Sequence, residues 1–69
     1  MRYSVNYTGA LFICDKDSFN CFETDQFEEA IFLLRDIINY GIDFNAYIRD
    51  EEYQVSLYWD NTEKEFYWN

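Results

Sequence analysis

The hydrophobic period of the chain changes abruptly at Gly41. From about Asp25 to Tyr40 the apolar residues Phe27, Ala30, Ile31, Leu34 and Ile38 recur at intervals of three and four, which lines one face of an α-helix. Phe32, Leu33 and Ile37 widen that stripe. Thr24 or Asp25 is placed to cap the helix, and Glu28 follows Asp25 at capping-box spacing. Glu28 and Glu29 lie where the positive end of the helix dipole favours carboxylates. Gly41 ends the helix, because glycine accepts the left-handed backbone of a C′ residue. Beyond it the period is two. Phe44, Ala46 and Ile48 alternate with polar or tyrosine positions, as do Tyr53, Val55, Leu57 and Trp59, and then Phe66 and Trp68. Asp50-Glu51-Glu52 and Asp60-Asn61-Thr62-Glu63 separate these runs as turns, which predicts a three-stranded antiparallel meander.

Ahead of the helix, Tyr3, Val5 and Tyr7 alternate, Ala10 to Cys14 is apolar throughout, Asp15 to Ser18 reads as a turn, and Phe19 to Phe22 as a short return strand. Proline is absent and glycine occurs only at positions 9 and 41, so no linker divides the chain. The expectation is one domain over residues 1–69, of α+β class. An antiparallel sheet of four to five strands, in the order β(β)αβββ, carries one helix on one face. The helix stripe is expected against Tyr53, Val55, Leu57 and Trp59. Tyr47, Tyr58 and Tyr67 alternate onto the opposite, wet face. A chain this short buries only about 60% of its unfolded surface. Its 23% aromatic content supplies the apolar area a core of that size needs.

Several chemistries are excluded by residue type. Without histidine there is no imidazole base and no Ser-His or Cys-His nucleophile. Two thiols alone make at most half a zinc site. Asp15-Lys16-Asp17 begins like a calcium-binding EF-hand loop, but Phe19, Asn20 and Gln26 stand where that loop needs an oxygen ligand, glycine and glutamate. No glycine-rich phosphate loop exists. The carboxylate pairs Glu51-Glu52 and Glu63 with Glu65 lack an evident groove for a substrate. The expectation is therefore a protein that is not an enzyme and uses neither cofactor nor metal. Cys14 and Cys21 read as free thiols of a cytoplasmic protein, although a bridge across a hairpin is conceivable. The longest apolar run, Ala30 to Leu34, is far short of a membrane span.

Charge is the strongest functional signal. Fourteen Asp and Glu face five Lys and Arg, a formal net charge of −9. Such a chain is repelled by nucleic acid and anionic membrane and drawn to basic surfaces. Asp25, Glu29 and Asp36 fall together on the outer face of the helix, while Asp50, Glu51, Glu52, Asp60, Glu63 and Glu65 sit at turns and strand ends. Two readings of these acids are open: a solvated surface, or a row of carboxylates standing in for backbone phosphates. Tyr58 and Tyr67 are likewise open to two readings, cross-strand packing or a protein-binding hot spot.

In its size, its charge, its abundant aromatics, and acids such as Glu28-Glu29 and Asp50-Glu51-Glu52 on a helix-and-sheet frame, the chain resembles the phage-encoded acidic DNA mimics. The resemblance is one of style and includes no sequence motif. It implies a stoichiometric inhibitor that occupies the basic DNA-binding site of a host enzyme: a clamp, nuclease, polymerase or glycosylase. The partner-binding residues would be Asp25, Glu29, Asp36, Asp50, Glu51, Glu52, Tyr58, Asp60, Glu63, Glu65 and Tyr67, all facing water. The alternative is an interaction module or homodimer using the aromatic sheet surface or the last strand as an edge. A small-molecule or metal-linked regulator is a third, more remote reading.

Overall fold

The computed structural model describes residues 1–9 and 19–69; the apolar run Ala10–Cys14 and the Asp15–Ser18 turn lie outside the described residues. The elements follow in the order β1 (Tyr3–Thr8), β2 (Phe19–Thr24), α1 (Phe27–Asn39), β3 (Tyr47–Asp50), β4 (Val55–Asp60) and β5 (Glu65–Trp68). They make one antiparallel five-stranded sheet in the spatial order β2-β1-β3-β4-β5. The return strand before the helix is therefore a full member of the sheet. The meander joins it at β1, with Val5 opposite Ile48.

Cross-strand register fixes the two faces. Val5, Ile48, Leu57 and Trp68 stand in one row, on the face that carries the helix. Cys21, Asn6, Tyr47, Tyr58 and Tyr67 make a row on the other face. The alternation read from the sequence thus holds for Val55, Leu57 and Trp59 on the helix side and for the three tyrosines on the open side. Tyr53 is a correction: it lies in the β3–β4 turn and is largely exposed.

Ala30, Leu34, Ile37 and Ile38 are the buried face of α1, and together with Val5, Ala46, Ile48 and Leu57 they form the core. The helix lies over β1, β2 and β3, not over β4 as the sequence suggested. Aromatic side chains roof the remainder. Phe27 at the start of the helix packs edge-on to Tyr3 and stacks on Trp68, and Trp59 meets Phe66 edge-on. Phe32, expected to widen the buried stripe, is instead 69% exposed on the outer helix face.

The helix ends as the sequence requires. Gly41 has φ +67, and the Gly41 and Ile42 amides donate to the Ile38 and Ile37 carbonyls, both at 3.0 Å, which is a Schellman closure. Its start differs. Gln26 is the N-cap and has no side-chain capping bond. Thr24 acts one step earlier, accepting from the Gln26 amide at 3.1 Å and donating to Glu29 at 3.3 Å, while Asp25 accepts from the Arg2 amide at 2.8 Å. The Asp25–Glu28 box therefore does not form.

Leu34 is fully buried beneath this arrangement. Leu34→Ala is expected to lower unfolding free energy by about 2–5 kcal/mol through lost burial and the cavity left behind. Chemical denaturation reads this directly. Stability within 0.5 kcal/mol of the parent (about the effect of a surface substitution) would remove Leu34 from the core.

Candidate functional site

The β3–β4 and β4–β5 turns are built alike. Each spans four residues between a cross-strand pair, Asp50 with Val55 and Asp60 with Glu65. Each ends on a left-handed residue that is not glycine, Gln54 at φ 57 and Lys64 at φ 58. In each, the leading aspartate accepts the amides two and three residues on, which offsets the strain of the turn. Asp50 takes Glu52 at 3.0 Å and Tyr53 at 3.4 Å; Asp60 takes Thr62 at 2.9 Å and Glu63 at 3.1 Å.

The two aspartates end in opposite environments because strand alternation sends them to opposite faces. Asp50 points to the helix side and is buried, with Arg2 forked onto both its oxygens at 3.2 Å. That guanidinium also meets Glu52 at 2.8 Å and lies over the rings of Tyr3 and Tyr53. The hydrogen bond from Arg2 holds the Asp50 carboxyl below its ordinary value, and the Glu52 and Tyr53 amides push the same way against the cost of burial. Asp50 was expected to face water as part of an acidic contact surface. It is instead a structural tether that closes the β3–β4 turn and fastens the start of β1. Glu51 is exposed, 3.9 Å from Arg49.

Asp60 points to the open face, where it stands directly opposite Glu65. Like charges opposed across a ladder repel. Neither carboxylate has a salt bridge among the described residues, since Lys64 turns to Asn61 at 2.9 Å. Beside this pair runs the tyrosine row. Tyr47 and Tyr58 have ring centroids 5.4 Å apart, and Tyr58 stacks on Tyr67 at 5.7 Å. Tyr67 is nearly half exposed. The floor around the row is polar and internally satisfied: Asn6 donates to Ser4, and Arg49 to Gln54 and Ser56. The tyrosines thus pack across strands, and Tyr67 also presents part of its ring to solvent.

The expected binding residues therefore separate into three groups. Tyr58, Asp60, Glu65 and Tyr67 come together on the open face, with exposed Glu63 in the adjoining turn. Glu29 and Asp36 lie on the outer side of α1 and Asp25 just ahead of its N-cap, across the sheet from them, and Asp25 and Glu29 already accept hydrogen bonds. Asp50 and Glu52 are engaged by Arg2, with Glu51 between them in sequence, exposed beside Arg49. No single flat partner can touch the first two groups at once. Sequence reasoning passed over Arg2 and left Tyr47 and Arg49 out of the site. The available signal was scarcity: with five cations among fourteen acids, each cation is contested.

A concavity lies on the helix side, a groove of about 350 Å³ between Phe27, Val55 and Trp68 with Arg2 and Asp50 at one wall. Its two charged groups, Arg2 and Asp50, are already paired with each other. No group of three or more metal-ligating side chains occurs among the described residues, Cys21 is a free, exposed thiol, and no helix among them is long and apolar enough to cross a membrane. Comparison with protein families, curated proteins and solved structures finds no match to this chain.

The Arg2–Asp50 tether gives a stability signature with a defined sign. Because the folded Asp50 pKa lies below its ordinary value of 3.8, the stabilisation is complete above that pH and is lost as pH falls through the lower folded value. Asp50→Asn is expected to melt below the parent at neutral pH, with the gap closing in acid. Glu51→Gln is expected to melt with the parent throughout. Thermal melts of the three proteins across the acid range check both statements, and coincident melts of Asp50→Asn and parent at neutral pH would rule out a structural role for the tether.

Proposed function

We propose that this protein is a non-catalytic, acidic binding protein that docks the open face of its sheet onto a basic protein surface, in the manner of an inhibitor that takes the place of DNA on a host DNA-binding enzyme. One observation carries the reading. The stacked Tyr47–Tyr58–Tyr67 row shares its face with Asp60 and Glu65, two carboxylates that oppose each other and have no cation of their own among the described residues. A basic partner would relieve that repulsion, and stacked tyrosines supply rigid contact area at low cost in side-chain entropy. The net charge of −9 supports the choice of partner, because it steers encounter with cationic surfaces and away from nucleic acid. Asp25, Glu29 and Asp36, on the far side, act here through the long-range field rather than by contact. The setting that fits is the cytoplasm, where such enzymes work and a free thiol such as Cys21 stays reduced.

The test begins with partners captured from a host-cell lysate on the purified protein, each then measured alone. The expected partner binds DNA, is displaced from DNA by this protein, and loses affinity steeply as salt rises. Asp60→Asn with Glu65→Gln, or Tyr67→Ala, is expected to weaken binding at least tenfold. Neutralising Asp25, Glu29 and Asp36 together should lower mainly the association rate. A partner that holds DNA and this protein simultaneously would defeat the DNA-replacing form of the proposal, and equal loss from the two acid sets would defeat the assignment of the face.

A further inference from the structure

The edge of the sheet at β5 is hydrogen-bonded on one side only. Ser56 and Asn69 exchange both amide bonds, at 3.0 and 2.8 Å. An antiparallel ladder alternates bonded and non-bonded pairs. Tyr58–Tyr67 and Asp60–Glu65 are therefore bonded pairs, and Leu57–Trp68 and Trp59–Phe66 are not. It follows that the N–H and C=O of Phe66 and of Trp68 point outward, four groups with no ladder partner among the described residues. An edge of this kind is a template for another strand.

We propose that this edge pairs with itself, joining two copies of the chain about a two-fold axis through Tyr67. The register is dictated. Partners in a ladder must share a face, so Tyr67, which alternates to the open side, meets Tyr67 of a second copy. Phe66 then faces Trp68 of the second copy, and Trp68 faces its Phe66. Both are bonded pairs, so all four outward groups of each copy are used. Sliding two residues toward the β4–β5 turn brings Lys64, held left-handed at φ 58, opposite Trp68 and forfeits one of these pairs. Sliding the other way sets Tyr67 against Asn69 of the second copy and separates Phe66 from Trp68. The side chains agree with the backbone. Tyr67 stacks on Tyr58 through one ring face, and the two-fold gives its other face the same ring again. Phe66 and Trp68 both lie on the helix side, where Trp68 is 49% exposed. Glu65 meets Asn69 of the second copy, so no carboxylate opposes a carboxylate across the junction.

The contact is small, below the roughly 1,000 Å² of a stable interface, so the dimer is reversible and concentration-dependent. Two charges of −9 repel, so salt strengthens association by screening, opposite to the salt response of binding to a basic partner. The dimer stands independently of the proposed function. It would continue the tyrosine row unbroken across both copies.

Sedimentation over a concentration series at low and moderate salt is expected to show the mass rising from 8.5 kDa to twice that value, at lower concentration when salt is added. Amide exchange in the unmodified protein is expected to show protection of the Phe66 and Trp68 amides that disappears on dilution. With both native cysteines replaced by serine, Tyr67→Cys is expected to form a disulfide-linked dimer, since opposed Cα atoms at a non-bonded pair stand about 4.5 Å apart. The parent retaining Cys21 on the other sheet edge is expected to cross-link far less. A monomer throughout the series, unprotected Phe66 and Trp68 amides in a dimer, or cross-linking through Cys21 as readily as through position 67 would overturn the proposal.

Discussion

A single α-helix is about 10 Å across, whereas five strands about 4.8 Å apart make a sheet about 20 Å wide. One helix cannot cover that surface, and this constraint organises the molecule. α1 lies over β2, β1 and β3, where Val5 and Ile48 meet Leu34 and Ile37. The area over β4 and β5 must then be closed by side chains alone. Phe27, Trp59, Phe66 and Trp68 do this, each ring covering as much area as several aliphatic groups. The high aromatic content is thus first a structural necessity. The same shortage of cover leaves Trp68 half in solvent and leaves the groove beside it.

The charge is organised by the turns. An aspartate at the head of each hairpin turn satisfies two amides, which lets Gln54 and Lys64 occupy a backbone region usually left to glycine. Strand alternation then separates the fates of the two aspartates. One is buried on the helix side of the sheet and requires a cation, which Arg2 provides. The other stays on the open face, where Glu65 opposes it and the tyrosines begin. A net charge of −9 is therefore not spread evenly: part is consumed in closing turns, part lies on the helix, and part frames the aromatic row.

Much of this was legible in residue order. The helix stripe, its stop at Gly41, the alternation of β3 to β5 and the outward tyrosines all follow from local period, and local period survives folding. The position of Asp50 was legible too, though it was passed over: Ala46, Ile48 and Asp50 continue one alternation, so the carboxylate had to face inward. The order of strands was not legible, because the pairing of Val5 with Ile48 depends on where the helix delivers β3, a long-range choice that no short window encodes. Phe32 misled for a related reason. On a wide apolar stripe the edges are set by what the helix meets, and α1 meets only part of the sheet. Thr24 and Asp25 were plausible caps, but their side chains were claimed by Glu29, the Gln26 amide and the Arg2 amide, which lie within one chain turn or across the sheet.

The junction of β1 with β3 bears on how the protein comes into being. β1 pairs with β2 through nearby sequence, and β3, β4 and β5 form a meander of neighbours, but within the sheet the two halves are joined only by the β1–β3 ladder, where Val5 stands beside Ile48. During synthesis the first hairpin and the helix emerge from the ribosome well before that partner. Until β3 is released, Val5 lacks its neighbour, one edge of β1 is open, and Leu34 and Ile37 have only part of the surface they need. The core therefore closes only once β3 has joined β1. The same dependence makes the chain intolerant of division: a fragment ending before β3 would carry the helix and two strands without the strand that unites them.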